Sequence, residues 1–209
     1  MLTGLQLASV LGTLLIVISV TTNVGNEFGF DTWKILLTKR ARRSRFLLVK
    51  LAYALVEAAV TLILAPLVFQ IVILIMLRTT LNITPPTSFT SGEVATLGIT
   101  FLVAWVRLTI AATIGLLATV LTRSSSGGIA LAAPWLLGDL LINELSFAGG
   151  LWRDLAPYTF NLNLAAFETY LQGGRAEVSD AHCVAVLLVY TVGFTWLAAI
   201  VFRRRDIAG

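Results

Sequence analysis

Five long apolar runs constrain this chain more than any other feature. They cover roughly residues 2–24, 46–77, 94–121, 128–147 and 182–202. About 20 apolar residues in a helix cross a hydrocarbon core of about 30 Å. The second run is longer than one crossing needs. Its first turns are expected in the interface, where Lys50 can snorkel, and Pro66 is expected to kink it. Only 12% of the 209 residues are charged and 57% are hydrophobic. A soluble domain carries about twice that charge. The runs therefore predict an all-α, polytopic membrane protein in one transmembrane domain, residues 1–209, with five spanning helices. No basic n-region precedes the first run, so it reads as a span and not as a cleaved leader.

The charges orient the spans. Residues 26–50, NEFGFDTWKILLTKRARRSRFLLVK, hold seven of the fifteen Lys and Arg: Lys34, Lys39, Arg40, Arg42, Arg43, Arg45 and Lys50. If 25–45 lies in the cytoplasm, so do 122–127 and the tail after Phe202. That side then holds eleven cations, and the other side only Arg78, Arg153 and Arg175. Cations near helix ends set orientation. The N-terminus is expected outside and the C-terminus in the cytoplasm. The basic pI follows from this partition and does not indicate nucleic acid as a partner.

Two segments remain outside. Residues 78–93 are a short polar loop with Pro85 and Pro86. Residues 148–181 are longer and mixed. Within them NLNLAAFETYLQ, 161–172, has apolar residues at near-helical spacing but is too short and polar to span. The stretch 148–175 reads as a re-entrant or surface helical hairpin, with an ordinary solvated loop as the alternative; structureless loops of this length are uncommon.

Taken together, Glu27-Phe28, Thr32-Trp33, Leu36-Leu37-Thr38, Ser44-Arg45 and Lys50 resemble the cytoplasmic connection between the second and third helices of ABC-2-type exporter permeases. The closing Phe202-Arg203-Arg204-Arg205-Asp206-Ile207 is similar to that family's ending. Leu121-Thr122-Arg123-Ser124 with Gly127-Gly128 resembles its short inner turn, and Pro157-Tyr158 with Asn161-Leu162-Asn163 its outer re-entrant region. The motifs are loose; their order and the topology carry the resemblance across the chain. It implies the membrane-spanning subunit of a bacterial exporter in the plasma (inner) membrane, a homo- or hetero-oligomer. Residues 25–45 would then be a coupling segment seated on a separate ATPase subunit. The docking residues so implied are Glu27, Phe28, Thr32, Trp33, Leu36, Leu37, Arg42 and Arg45. Family members commonly have six spans preceded by an elbow helix on the inner surface. This chain has five, with no counterpart of the elbow and first span. The expectation is that upstream sequence supplies them or that the protein works without them.

The residues carry two readings of the basic segment. In one, Trp33, Ile35, Leu36 and Leu37 form an apolar face and the cations meet an acidic protein surface. In the other, the cations only set topology and contact anionic membrane lipid, at roughly 1 kcal/mol each.

Charges inside the spans are the second feature. Glu57, Arg107, Asp139 and Glu144 fall within apolar runs. A charge at the bilayer centre costs from about 2.5 kcal/mol upward and needs a partner. Glu57, Arg107 and Asp139 lie at overlapping depths, so Arg107 is expected to pair with Asp139, Glu57 or both. Such a cluster either lines a substrate route or joins helices. Glu144, nearer the outer surface, is expected to be wet. His182 reads as an interfacial histidine, and Ala111, Ala112, Gly115, Gly128, Ala132 and Ala133 as sites of close helix approach.

One cysteine and one histidine exclude an intrachain disulfide and a two-histidine metal site. No G-x-x-x-x-G-K-[ST] sequence is present, so no P-loop cradles nucleotide. No catalytic residues and no cofactor are expected in this chain; ATP would bind a partner. The leading reading is the permease subunit of an ATP-driven exporter. The alternative is a non-transporting structural or accessory subunit of a larger membrane complex, such as an energy-converting or light-harvesting assembly, with a permease-like fold lacking the first helix.

Overall fold

The computed structural model describes residues 2–29, 43–76, 78–79 and 91–204. They are helical almost throughout. Helix α1 spans Leu2–Gly29, α2 Arg43–Met76, α3 Ser91–Thr122 and α4 Ser125–Leu145. After a 3-10 turn at Ser146–Ala148 come α5, Leu151–Leu155, a second 3-10 turn at Ala156–Tyr158, and α6, Phe160–Leu171. The last span joins α7, Asp180–Leu188, a π-helical turn at Val189–Gly193, and α8, Phe194–Arg204. Five stretches are long and apolar enough to cross a membrane: Ser9–Phe28, Leu48–Met76, Gly92–Thr122, Ser125–Ala148 and Asp180–Arg203.

Two expected boundaries move. The first span continues past Val24 to Gly29, through Gly25 and Asn26, which would otherwise favour a helix end, because both are packed against Ser125. Glu27 and Phe28 therefore belong to the last turn of α1 and not to a connector. At the other end α2 begins at Arg43, so the backbone of Arg45 is already helical. Thr32, Trp33, Leu36, Leu37 and Arg42 lie outside the described residues, as does the side chain of Arg45. Helix α2 is continuous through Pro66.

Helix α3 is the axle of the bundle. It touches α1, α2, α4, α6 and α8, and every residue from Ile110 to Val120 is buried. Its membrane stretch is 67% buried against 11% for that of α2, whose side chains are left to face lipid. Small residues make the axle possible. Ala111, Ala112 and Ala132 have no exposed surface. A Cβ added at Gly115 would touch the Val17 backbone at 3.6 Å, and one at Gly128 would fall 2.5 Å from Thr119 Oγ1. Without a hydrophobic drive between helices in lipid, such close backbone approach is what holds them together.

The turn from α3 to α4 is shorter than the expected 122–127. Arg123 takes a left-handed φ of 56°, and Ser124 caps α4 by accepting from Gly127 N–H at 3.0 Å. The pair α3–α4 is thereby antiparallel, and Ser125 is pressed against α1. The alternation of helices puts the end of α1, the start of α2, this turn and the end of α8 on one side of the bundle. The end of α2, the start of α3, the end of α4 and the start of α7 lie on the other.

Candidate functional site

The stretch expected as a re-entrant or surface helical hairpin is helical, and the start of its second helix packs against α4 inside the last turns of that span. Asp139 sits six residues before the end of α4, about 9 Å down its axis. Its carboxylate receives the first turn of α6. Phe160 N–H donates to Oδ1 at 2.9 Å; Asn161 N–H donates to Oδ2 at 3.1 Å, and Asn161 Nδ2 donates to it at 2.6 Å. Thr159 caps the same helix, accepting from Leu162 N–H at 3.4 Å. A carboxylate at a helix N-terminus meets both unpaired N–H groups and the positive end of the helix dipole. Backbone that is not yet helical survives at this depth only when it is enclosed by protein, and Phe160 and Asn163 are buried.

The far side of the tip is pinned by the last span. Asn163 Nδ2 donates to the Pro157 and Thr159 carbonyls, both at 2.7 Å. His182 Nε2 lies 2.8 Å from the same Pro157 oxygen, and its ring meets Tyr158 edge-on. Cys183, buried, points its thiol at Asn163 O, 2.9 Å away. Phe160 packs edge-on against Tyr190, which continues the ring contacts to Phe194 and Trp135. His182 and Cys183 are thus structural pins of the hairpin.

The expected pairing of Arg107 is corrected by this arrangement. Asp139 faces α6, and no ion pair within 4 Å joins it to Arg107 among the described residues. Glu57 is taken by Ser19, whose hydroxyl donates to it at 2.7 Å across α1 and α2. Asn23 Nδ2 in turn donates to Ser19 Oγ at 3.3 Å. Arg107 makes no ion pair within 4 Å among the described residues. Its Nε is buried without a hydrogen-bond partner among the described residues. A crevice of about 150 Å³ between α1 and α4 reaches it, walled by Val10, Leu14, Leu137 and Leu140. Glu168 Oε1 also accepts from Thr100 Oγ1, at 3.4 Å. The direct contact is absent because the Asp139 carboxylate is occupied by the first turn of α6. The nearest unpaired N–H groups to Asp139 belong to a segment outside the spans, and depth arithmetic over spans cannot include it.

Sequence reasoning missed Glu168, Asn161 and Ser19. The signal that could have found Asn161 is Thr159, an N-cap residue type just ahead of a helical run. Nothing local to Glu168 announces that it meets Thr100 of α3. Glu144 is exposed on α4.

An exchange of charges separates the two arrangements. Arg107→Asp combined with Asp139→Arg is expected to be no more stable than the worse single variant, because Asp139 serves backbone N–H groups that an arginine cannot serve. Thermal unfolding of the three variants in detergent checks this; recovery in the double variant would restore the direct pair.

At the opposite end, the connector's two anchors meet. Lys50 Nζ lies 2.7 Å from Glu27 Oε1, tying α2 to α1. Phe28 packs edge-on against Phe202 of α8, ring centroids 6.2 Å apart. Ser125 Oγ donates to Asn26 Oδ1 at 3.1 Å. Lys50, read as a snorkelling cation, thus has a carboxylate to snorkel to. The expected docking residues Glu27 and Phe28 face this junction and brace it.

Five membrane-length helices among the described residues, four of them around the buried α3, with a polar helical segment packed against them, define a multi-pass α-helical membrane protein. More narrowly, the chain belongs to the DUF2705 family, described as a protein of unknown function, whose model matches residues 1–208. No curated protein and no solved structure matches the chain.

Proposed function

We propose that this chain is the membrane-spanning subunit of an ATP-driven exporter, oriented with residues 30–42 and the end of α8 in the cytoplasm, in a bacterial plasma membrane. The observation that carries the reading is the junction at the base of the connector. Both ends of segment 30–42 are fastened to the bundle, by Glu27–Lys50 and by Phe28 on Phe202. A partner seated on the segment would act on helix ends that are already joined to one another and to α8. The seven cations of 26–50 suit an acidic docking surface, and the ABC-2-like order of motifs supports an ATPase as the owner of that surface. Without a P-loop in its own sequence, the chain depends on such a partner for ATP.

One observation favours the second reading, a structural subunit of a larger membrane complex. The intramembrane carboxylates Asp139 and Glu57 are committed to internal hydrogen bonds, as interhelical joints require.

Gentle purification from native membranes through this chain, followed by mass spectrometry, decides between them. The exporter reading expects an ATPase with a Walker motif at stoichiometric amount. It further expects Trp33→Ala with Arg42→Glu to cut that recovery at least ten-fold while the membrane subunit stays folded. A large assembly without an ATPase supports the structural subunit and overturns the exporter.

A further inference from the structure

A groove of about 520 Å³ runs between α2, α3 and the last span, on the half of the bundle that ends at the connector. That volume is in the range of small-molecule sites. Four of its lining residues are threonines, yet it is an apolar groove. Thr109 donates to Trp105 O at 2.8 Å, Thr191 to Leu187 O at 2.9 Å and Thr195 to Thr191 O at 2.6 Å. Thr113 donates to Ile110 O at 2.8 Å and reaches Tyr190 O at 2.9 Å, a carbonyl of the π-helical turn. With every hydroxyl bound to a carbonyl, the donors are spent and methyl groups face the space. The π turn, a common mark of functional positions in helices, contributes Thr191 and Val192 to the lining. At the mouth stands Arg203, exposed and without a carboxylate partner among the described residues. In sequence it is the first of three consecutive arginines. From Arg203 to Thr191 the axis covers about 18 Å, close to one leaflet's half of a hydrocarbon core of about 30 Å.

We infer that this groove binds an anionic phospholipid, one acyl chain lying along the threonine methyls and the phosphate on Arg203. Charge selects the occupant: a zwitterionic lipid or an apolar helix would fill the groove but gain little from an arginine at its mouth. The inference does not depend on the exporter reading.

Trp196 lines the groove and is 67% exposed, which makes it the reporter. The full chain is reconstituted in phosphatidylcholine bilayers, and dibrominated phosphatidylglycerol or dibrominated phosphatidylcholine is titrated in. The Trp196 signal is the difference between the wild type and Trp196→Phe. The expected result is half-quenching at an anionic mole fraction about five-fold or more below the zwitterionic one. Arg203→Gln is expected to lower that preference about five-fold, the factor that roughly 1 kcal/mol per surface cation represents. Ala199→Phe, which fills the groove without touching the charge, is expected to remove the preference while helicity stays unchanged. Equal quenching by the two lipids, or a preference that survives either substitution, overturns the site. So does a Trp196 that neither lipid quenches, because protein then covers it.

Discussion

Asp139→Ala is expected to undock α6 from the bundle. The substitution leaves Phe160 N–H and Asn161 N–H, together with the Asn161 amide, without their acceptor at membrane depth. Each unsatisfied buried group costs about 1–3 kcal/mol, so a total loss of about 3–5 kcal/mol is expected. For a chain of this size that is a fall of roughly 6–20 °C in the unfolding midpoint. Asp139→Asn keeps one carbonyl oxygen and gives up the charge at the helix N-terminus, so about 1–2 kcal/mol is expected of it. The sole cysteine supplies a second readout. Cys183 is buried against Asn163 O on the first turn of α6. Its alkylation by a membrane-permeant maleimide should be slow in the wild type and faster by ten-fold or more in Asp139→Ala. A variant that loses stability with no change in alkylation would place the loss elsewhere than the hairpin.

The second large effect is steric. A Cβ on Gly25 would stand 2.4 Å from Ser125 N and 2.6 Å from Ser125 Cα. Those are backbone atoms at the start of α4, so no rotamer relieves the clash. Gly25→Ala must part α1 from α4, at about 1–3 kcal/mol or more, and it strains the Asn26–Ser125 bond beside it. Gly138→Ala is the control. It lies within α4 with nothing within 4 Å of the added carbon, and alanine is the better helix former by about 1 kcal/mol. It should be neutral or stabilising. Comparing the two midpoints isolates the contact from the intrinsic propensity; equal shifts would refute the close approach.

Much of the site could be named from the sequence, and little of its wiring. Asp139, Arg107 and Glu57 were legible because an ionised side chain in an apolar run is conspicuous. Their partners were not. Asp139 binds residues 21 and 22 positions away, and Thr100 meets Glu168 across 68. Glu168 looked like one more surface acid in a polar segment until that segment folded back into the bundle. The docking pair Glu27 and Phe28 was legible as composition, yet its placement on the last turn of α1 depended on how far a packed helix runs before it stops.

Hydropathy along the chain determined by itself that there are five membrane-length helices, and nearly where each lies. Burial of apolar length in lipid is a local property that neighbours do not alter. The crowding of cations at one set of helix ends was likewise plain in the residue order. Only the tertiary structure decided that α3 is the axle, that Gly25 must be bare, and that Asp139 holds a helix N-terminus in preference to Arg107. Those outcomes depend on azimuth around each helix and on the return of a non-spanning segment. A hydrogen bond is won or lost within a few tenths of an ångström, a precision that depth along a helix axis cannot supply.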